Sequence, residues 1–373
     1  AIELAEEFGR PDIVSHALNN LGMSKQHRDP DKGRELLTQC IEIGRNLEDP
    51  DHSARAMANW MHFEFHQCEF EKALERAKLS VDHNLQNEMD TYYRYSLGMI
   101  ARANLELGHW NEVQETAWRG FDPDDRVPES YNFNGGMALL VHQVRSGSTP
   151  DSDVEEYLSL FDHETSEAQR IGPFAEIIVE RDWMAGKELS SAINRLHLVA
   201  SMPIDGASIG GVRVWLKRLG EAVPEDDFSN YPEPQRLELQ GNIAGAAQAW
   251  AEHKAPYQQA LCLAFGDAEQ RLKALEIFEG LGAAPAVQKL RELTGRPLQS
   301  KRGRPSVSGP YGLTNRQIDV LKLLGEGMTN TQIGETLFIS PKTVDHHVSA
   351  ILARLGASSR GEAAAIARKL DVI

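Results

Sequence analysis

Along residues 1–300 the apolar positions recur at helical rather than strand spacing. Ala, Leu, Glu, Arg and Gln fill long segments that Gly, Pro and Asp-rich turns interrupt. No stretch reads as a ladder of strands, and the pattern predicts an all-α chain. An internal repeat is visible near the start. Leu36, Ile41, Ile43 and Leu47 recur 38 residues later as Leu74, Leu79, Val81 and Leu85. Forty residues beyond Phe70, Ala77 and Val81 stand Trp110, Ala117 and Phe121.

Helix–turn–helix units of this length, with small residues where neighbours pack, predict a tetratricopeptide-like solenoid over residues 1–130. One unit cannot bury its apolar face alone, so several must stack. Residues 131–297 keep the same grammar without a fixed period. Gly186, Gly241 and Gly266 each separate two amphipathic stretches, and loops fall at "DPDDRVPES" and "PEDDFSNYPEP". These residues are expected to continue the helical stacking with less regular members.

From Leu298 the composition changes. "LQSKRGRPSVSGPYG" is rich in Gly, Pro and Ser and basic, which predicts a flexible linker over 298–312. Its "RGRP" resembles the minor-groove AT-hook, in which Arg302 and Arg304 would flank a glycine lying on the groove floor. A solvated basic tether is the simpler reading of so short a motif.

The last sixty residues divide into four short helices. Thr314 with Gln317 has the pattern of a capping box ahead of Ile318, Val320, Leu321 and Leu324, and Gly325 and Gly327 end that helix. A second helix runs from about Thr329 to Leu337. Ser340 is an N-cap with Pro341 at the first position of a third, which Gly356 closes; Ser359 and Glu362 cap a fourth. In the third helix Val344, Val348, Ile351, Leu352 and Leu355 form one apolar stripe, with Lys342, Asp345, His346 and Ser349 opposite. Two helices joined by a tight turn, the second with one buried and one polar face, make a helix-turn-helix. The major groove of B-DNA admits one such helix.

Charge sharpens this division. Residues 301–373 carry 10 Lys+Arg against 6 Asp+Glu, leaving 29 Lys+Arg and 49 Asp+Glu for residues 1–300, a balance of +4 against −20. The pattern is a basic module that meets an anion, carried on an acidic body that does not. Hydrophobic content of 41% and charged content of 25% are those of a soluble globular protein, and no apolar run is long enough for a membrane span. Cys40, Cys68 and Cys262 have no paired spacing, which predicts a reducing, cytoplasmic setting. The first residues, "AIELAEEFGR", read like the middle of a helix, so a longer parent protein is expected.

"LTNRQIDVLKLLGEGMTNTQIGETLFISPKTVDHHVSAILARLGASSRGEA" resembles the LuxR-type helix-turn-helix of bacterial transcription regulators. Leu313-Thr314, Arg316, Val320-Leu321, Gly327, Asn330, Ile333, Leu337, Thr343-Val344, His347, Leu355 and Arg360 match its recurrent positions. Gln317 departs from the usual Glu, and Gly325 and Gly334 from commoner alanines. The stretch before the module, "KAPYQQALCLAFGDAEQRLKALEIFEGLGAAPAVQKLRELTGRP", is similar to the same region of the large ATP-binding regulators of that family. The resemblance implies that Asp345, His346 and Ser349 reach base edges. It places Lys342, Thr343 and His347 at phosphates, with Asn330 and Thr331 contributing from the preceding helix. The chemistry agrees, because an aspartate accepts from cytosine N4 and a histidine bonds a purine edge. The resemblance also implies a homodimer on double-stranded DNA, paired through the last helix by Ala363, Ile366, Ala367 and Leu370.

No G-x-x-x-x-G-K-[ST] occurs, so nucleotide binding does not carry over to this chain and no cofactor is expected in it. "GASIGGVRV" lacks the strand and the later acidic residue of a dinucleotide site. His62 and His66 make an i,i+4 pair with Cys68 beyond; lacking a fourth ligand, they are read as packing residues. His346 and His347 point about 100° apart on a helix and do not converge on one ion. No catalytic pair stands out, and the chain is read as a non-enzyme. The leading expectation is a transcription regulator whose repeats sense a small molecule or dock a protein. The alternative is an interaction scaffold in which the helix-turn-helix contacts protein.

Overall fold

The computed structural model describes residues 2–25, 28–47, 49–121, 129–148, 168–202, 209–224, 228–295, 313, 315–337, 341–357 and 359–369. The predicted linker, Thr314, Ser340 and Leu370 lie outside these residues. Among the described residues there is no strand, and the chain forms two compact units, Ala1–Leu298 and Gln299–Ile373.

The first unit opens with α1 (Ile2–Glu7), α2 (Pro11–Ser24), α3 (Pro30–Arg45), α4 (Asp51–His66), α5 (Phe70–Gln86), α6 (Asp90–Glu106), α7 (Trp110–Gly120) and α8 (Glu129–Ser146). Each helix from α2 on packs against the next, and α2, α4, α6 and α8 also stack on one another in series. Helices α3, α5 and α7 begin at Pro30, Phe70 and Trp110, forty residues apart. The turns repeat every twenty residues. Cys68, Glu88 and Gly108 are all left-handed, with φ of 61°, 55° and 80°. The next N–H in each case reaches back five residues, Glu69 to Glu64, Met89 to Asn84 and His109 to Asn104, at 2.8–2.9 Å. This is the Schellman closure, which satisfies carbonyls that the helix end leaves open.

The forty-residue register replaces the 38-residue one expected for the first repeat. Leu79 and Leu85 are 49% and 57% exposed, so they are not the core counterparts of Ile41 and Leu47. The buried equivalents are Gly33, Ala73 and Val113; Leu37, Ala77 and Ala117; and Cys40, Ser80 and Gly120. The shift by 40 found at Phe70 and Trp110 holds. Small residues set the spacing of the layers: a Cβ on Gly98 would lie 2.6 Å from the Gly135 nitrogen, and one on Gly120 2.8 Å from the Gly98 nitrogen.

The unit continues through α9 (Ala168–Met184), α10 (Ser190–Ala200), α11 (Gly210–Arg218), α12 (Glu233–Leu239), α13 (Ile243–Glu252), α14 (Pro256–Ala264), α15 (Ala268–Leu281) and α16 (Ala284–Thr294). Asn242 caps α13, and an Asp267–Gln270 capping box starts α15. These helices return on the earlier ones: α14 packs on α6, and α16 on α8 and α9. One apolar cluster therefore runs from Cys68 to Leu290. Beside it lies the buried ion pair of Arg218 with Glu238, and a part-buried pair joins Arg34 to Glu64 nearer the start of the array.

Candidate nucleic-acid interface

The second unit contains α17 (Asn315–Gly325), α18 (Asn330–Leu337), α19 (Pro341–Leu355) and α20 (Arg360–Lys369). Its core joins Leu313, Val320, Leu321 and Leu324 to Ile333 of α18 and to Val344, Val348 and Ile351 of α19. Leu352 and Leu355 pack at its edge, so the predicted stripe of α19 faces inward. Gly327 and Gly356 are left-handed, with φ of 85° and 64°, and end α17 and α19 where expected. The Ser359 hydroxyl accepts from the Glu362 N–H at 3.3 Å, capping α20. A capping box that the sequence reading missed starts α18: Thr329 N–H donates to Gln332 Oε1 at 2.9 Å, and Gln332 N–H to Thr329 Oγ1 at 3.3 Å.

Packing of this stripe leaves the opposite side of α19 at the surface. Lys342, Asp345 and Ser349 are exposed, Thr343 and His347 are half-buried, and the side chain of His346 is outside the described residues. Thr331 is exposed and Asn330 half-buried at the start of α18. The two helices are tied by polar contacts. Asn330 Nδ2 donates to Asp345 Oδ1 at 3.1 Å, and Arg360 Nη1 donates to Asn330 Oδ1 at 2.8 Å. Arg360 Nη2 also donates to the Met328 carbonyl at 2.7 Å. Through Asn330, the first residue of α20 thus fixes the carboxylate of α19. Arg368 donates to the Gly325 carbonyl at 2.6 Å, closing the end of α17. Arg360 was legible only as a matching position; its role as an organiser depends on a contact across thirty residues.

The pairing surface expected on α20 needs correction. Ala363, Ala364 and Ala367 are buried in the module's own core against α17 and α19, and Ile366 of the expected set is half-exposed. The alanines are small because helices of one module approach closely there, so Ala363 and Ala367 are not available to a second copy. Arg302 and Arg304 lie outside the described residues. In the first unit, the His62 and His66 rings meet at a tilt of 57° with centroids 4.3 Å apart, and Tyr95 Oη lies 3.3 Å from His62 Nδ1. Burial, helped by the Arg102 charge, pushes the His62 pKa down to about 4, so the ring is neutral. No group of three metal donors occurs among the described residues, and no described helix is long and apolar enough to cross a membrane.

Comparison with known proteins agrees with this geometry. The family model of the bacterial regulatory proteins of the luxR family matches residues 312–367. Transcriptional regulatory protein LiaR of Bacillus subtilis (strain 168) is 38% identical over 104 residues, 27% of this chain and 49% of that protein. The DNA-binding transcriptional activator DevR/DosR of Mycobacterium tuberculosis is 43% identical over 70 residues, 18% of this chain and 32% of that protein. The putative HTH-type transcriptional regulator Mb0914c of Mycobacterium bovis is 40% identical over 62 residues, 17% of this chain and only 7% of a much longer protein. The chain therefore spans half or less of the length of these relatives. No solved structure matches it. Residues 312–367 are a LuxR-family helix-turn-helix module, carried behind a helical array that these relatives leave largely unmatched.

Proposed function

We propose that the chain is a sequence-specific, DNA-binding transcription regulator whose helical array senses a ligand or docks a partner. The observation that carries this reading is the polar face of α19, held outward by a buried stripe within a LuxR-family module. In it Asp345, His346 and Ser349 read base edges in the major groove, while Lys342, Thr343 and His347 meet phosphates. Asn330 and Thr331 support the same face from α18. Two modules act as a pair on an inverted repeat, with Ile366 and its exposed neighbours rather than the buried alanines at their contact.

Selection from random duplexes tests the assignment. His346→Ala should cost about 1–3 kcal/mol on the selected site and relax the preference at one position. Lys342→Ala should weaken binding to all sequences and flatten the salt dependence by about one unit. Unchanged affinity and preference in both variants would overturn the groove assignment.

A further inference from the structure

Where α6, α8, α9, α11 and α12 converge, most buried charges are fully paired. Arg145 lies between Glu106 and Glu180, at 3.0 Å from each. Glu180 also accepts from Tyr257 Oη at 2.6 Å, and Glu106 from Gln258 Nε2 at 2.9 Å. Arg218 donates twice to Glu238, both at 2.9 Å, and Trp250 Nε1 donates to the same carboxylate at 2.8 Å.

Two charges at the same place make no ion-pair contact, although Arg102 and Glu176 attract each other and Glu176 also feels Arg218. Arg102 of α6 donates to Asn134 Oδ1 at 2.7 Å and lies 4.4 Å from the centre of the Phe65 ring. Among the described residues no carboxylate lies within ion-pair distance of it. Glu176 of α9 is half-buried, and Gln235 Oε1 of α12 is buried with no hydrogen-bond partner among the described residues. Arg102, Glu176 and Gln235 all border one cavity of about 130 Å³, whose apolar walls include Met137, Val141, Ile177 and Trp215.

The glycine-rich stretch that made no sense as a dinucleotide loop has a place here. A Cβ on Gly211 would collide with the Glu176 carboxylate, and one on Gly210 with the Gln235 amide. The paired glycines at the start of α11 leave room for both groups at the cavity wall.

Half-buried ions that touch no counter-ion are costly, and this protein has carboxylates in excess from which a partner for Arg102 could have come. We infer that the cavity binds a small zwitterion of the amino-acid type, its carboxylate on Arg102 and its ammonium on Glu176. A neutral polyol would leave both charges unpaired, and a simple anion would leave Glu176 so. The size suits the smallest amino acids: an apolar cavity of about 150 Å³ holds benzene, so this one of about 130 Å³ holds roughly five or six non-hydrogen atoms. The inference rests on the sensing role proposed for the array and gives it a ligand class.

Protonation gives the site a second signature. Burial pushes the Glu176 pKa up to about 7. Arg218 and Arg102 oppose that rise, and Glu106 and Glu180 add to it. Arg145 of α8, His66 of α4 and Gln235 of α12 border the same space. Near neutrality part of the protein holds a proton on Glu176, and an arriving ammonium expels it.

The test titrates the whole chain with glycine, alanine and the other small L-α-amino acids. The same compounds as carboxamides, the matching α-hydroxy acids, and glucose and glycerol serve as comparison arms. At least one amino acid should raise Tm by about 3 °C or more at saturation. Its carboxamide and hydroxy-acid analogues should bind at least tenfold more weakly, as should the Arg102→Met and Glu176→Gln variants. The binding heat at pH 7 should depend on the ionisation enthalpy of the buffer in the native chain and not in Glu176→Gln. Should Arg102→Met fail to fold, the carboxamide arm reports on the same contact.

Binding by no amino acid would overturn the inference and leave a water-filled cavity. Binding that neither substitution weakens would overturn the location. Glucose or glycerol binding in place of the amino acids would overturn the ligand class while the sensing role stands. A zwitterion that binds as described but leaves DNA affinity unchanged would sink the sensing role and keep the site.

Discussion

Glu88 occupies a position that the fold needs and its side chain resists. It holds the left-handed turn between α5 and α6, with φ 55°, and is exposed. Glycine holds the equivalent turn at Gly108 without strain. A left-handed L-residue costs about 1–2 kcal/mol, and the greater freedom of glycine in the unfolded chain offsets about 0.4–1 of it. Glu88→Gly should therefore stabilise the protein by about 0.5–1 kcal/mol, read as a higher denaturant midpoint at constant slope. An unchanged or lower midpoint would mean that the Glu88 side chain makes a contribution not visible in its exposure. The same scale separates what could be read from sequence from what could not. The two faces of α19 were legible because both lie within fifteen consecutive residues. Arg102, Glu176 and Gln235 were not, since their relation exists only after α6, α9 and α12 are brought together across 133 residues of chain.

At the scale of helices, glycine acts in opposite senses according to what faces it. Gly98 lies where α6 meets α8, and an added Cβ would stand 2.6 Å from a backbone nitrogen of Gly135. Backbone cannot step aside as a side-chain tip can, so Gly98→Ala should cost about 1–3 kcal/mol through separation of the two helices. Gly280, inside α15, has nothing within 4 Å of an added Cβ and an ordinary helical φ. Gly280→Ala should instead gain up to about 1 kcal/mol from helix propensity. Thermal unfolding of the two variants side by side decides between packing and propensity: equal shifts of one sign would contradict the close crossing. This also explains why the repeat register slipped when read from sequence. Counting large apolar residues favoured an offset of 38, whereas the layers are aligned by what is small, Gly33 with Ala73 and Cys40 with Ser80 and Gly120. Smallness is a weak signal in a single sequence because an alanine reads equally as surface helix former and as close-packing residue.

Taken over the whole molecule, the charge is divided between the two units, −20 over residues 1–300 and +4 over 301–373. An acidic body tethered to a module that must approach a polyanion lowers the affinity of that module by repulsion, and the effect is long-ranged only where salt is low. The sequence between the units is Gly-, Pro- and Ser-rich, a composition that supplies reach rather than a fixed distance. Residues 298–373 alone should accordingly bind nonspecific DNA more tightly than the whole chain at low salt. The gap should narrow as the Debye length falls from about 30 Å at 0.01 M to about 8 Å at physiological ionic strength. Steric occlusion of the module by the helical array predicts a gap that salt does not close. One duplex titrated with both proteins across a salt series distinguishes the two, and equal affinities throughout would exclude both. If the gap closes with salt, a zwitterion in the array brings no net charge of its own to alter it. Its only electrostatic lever is the proton it expels from Glu176, which makes the body more negative and predicts weaker, not tighter, DNA binding when the ligand is bound at neutral pH.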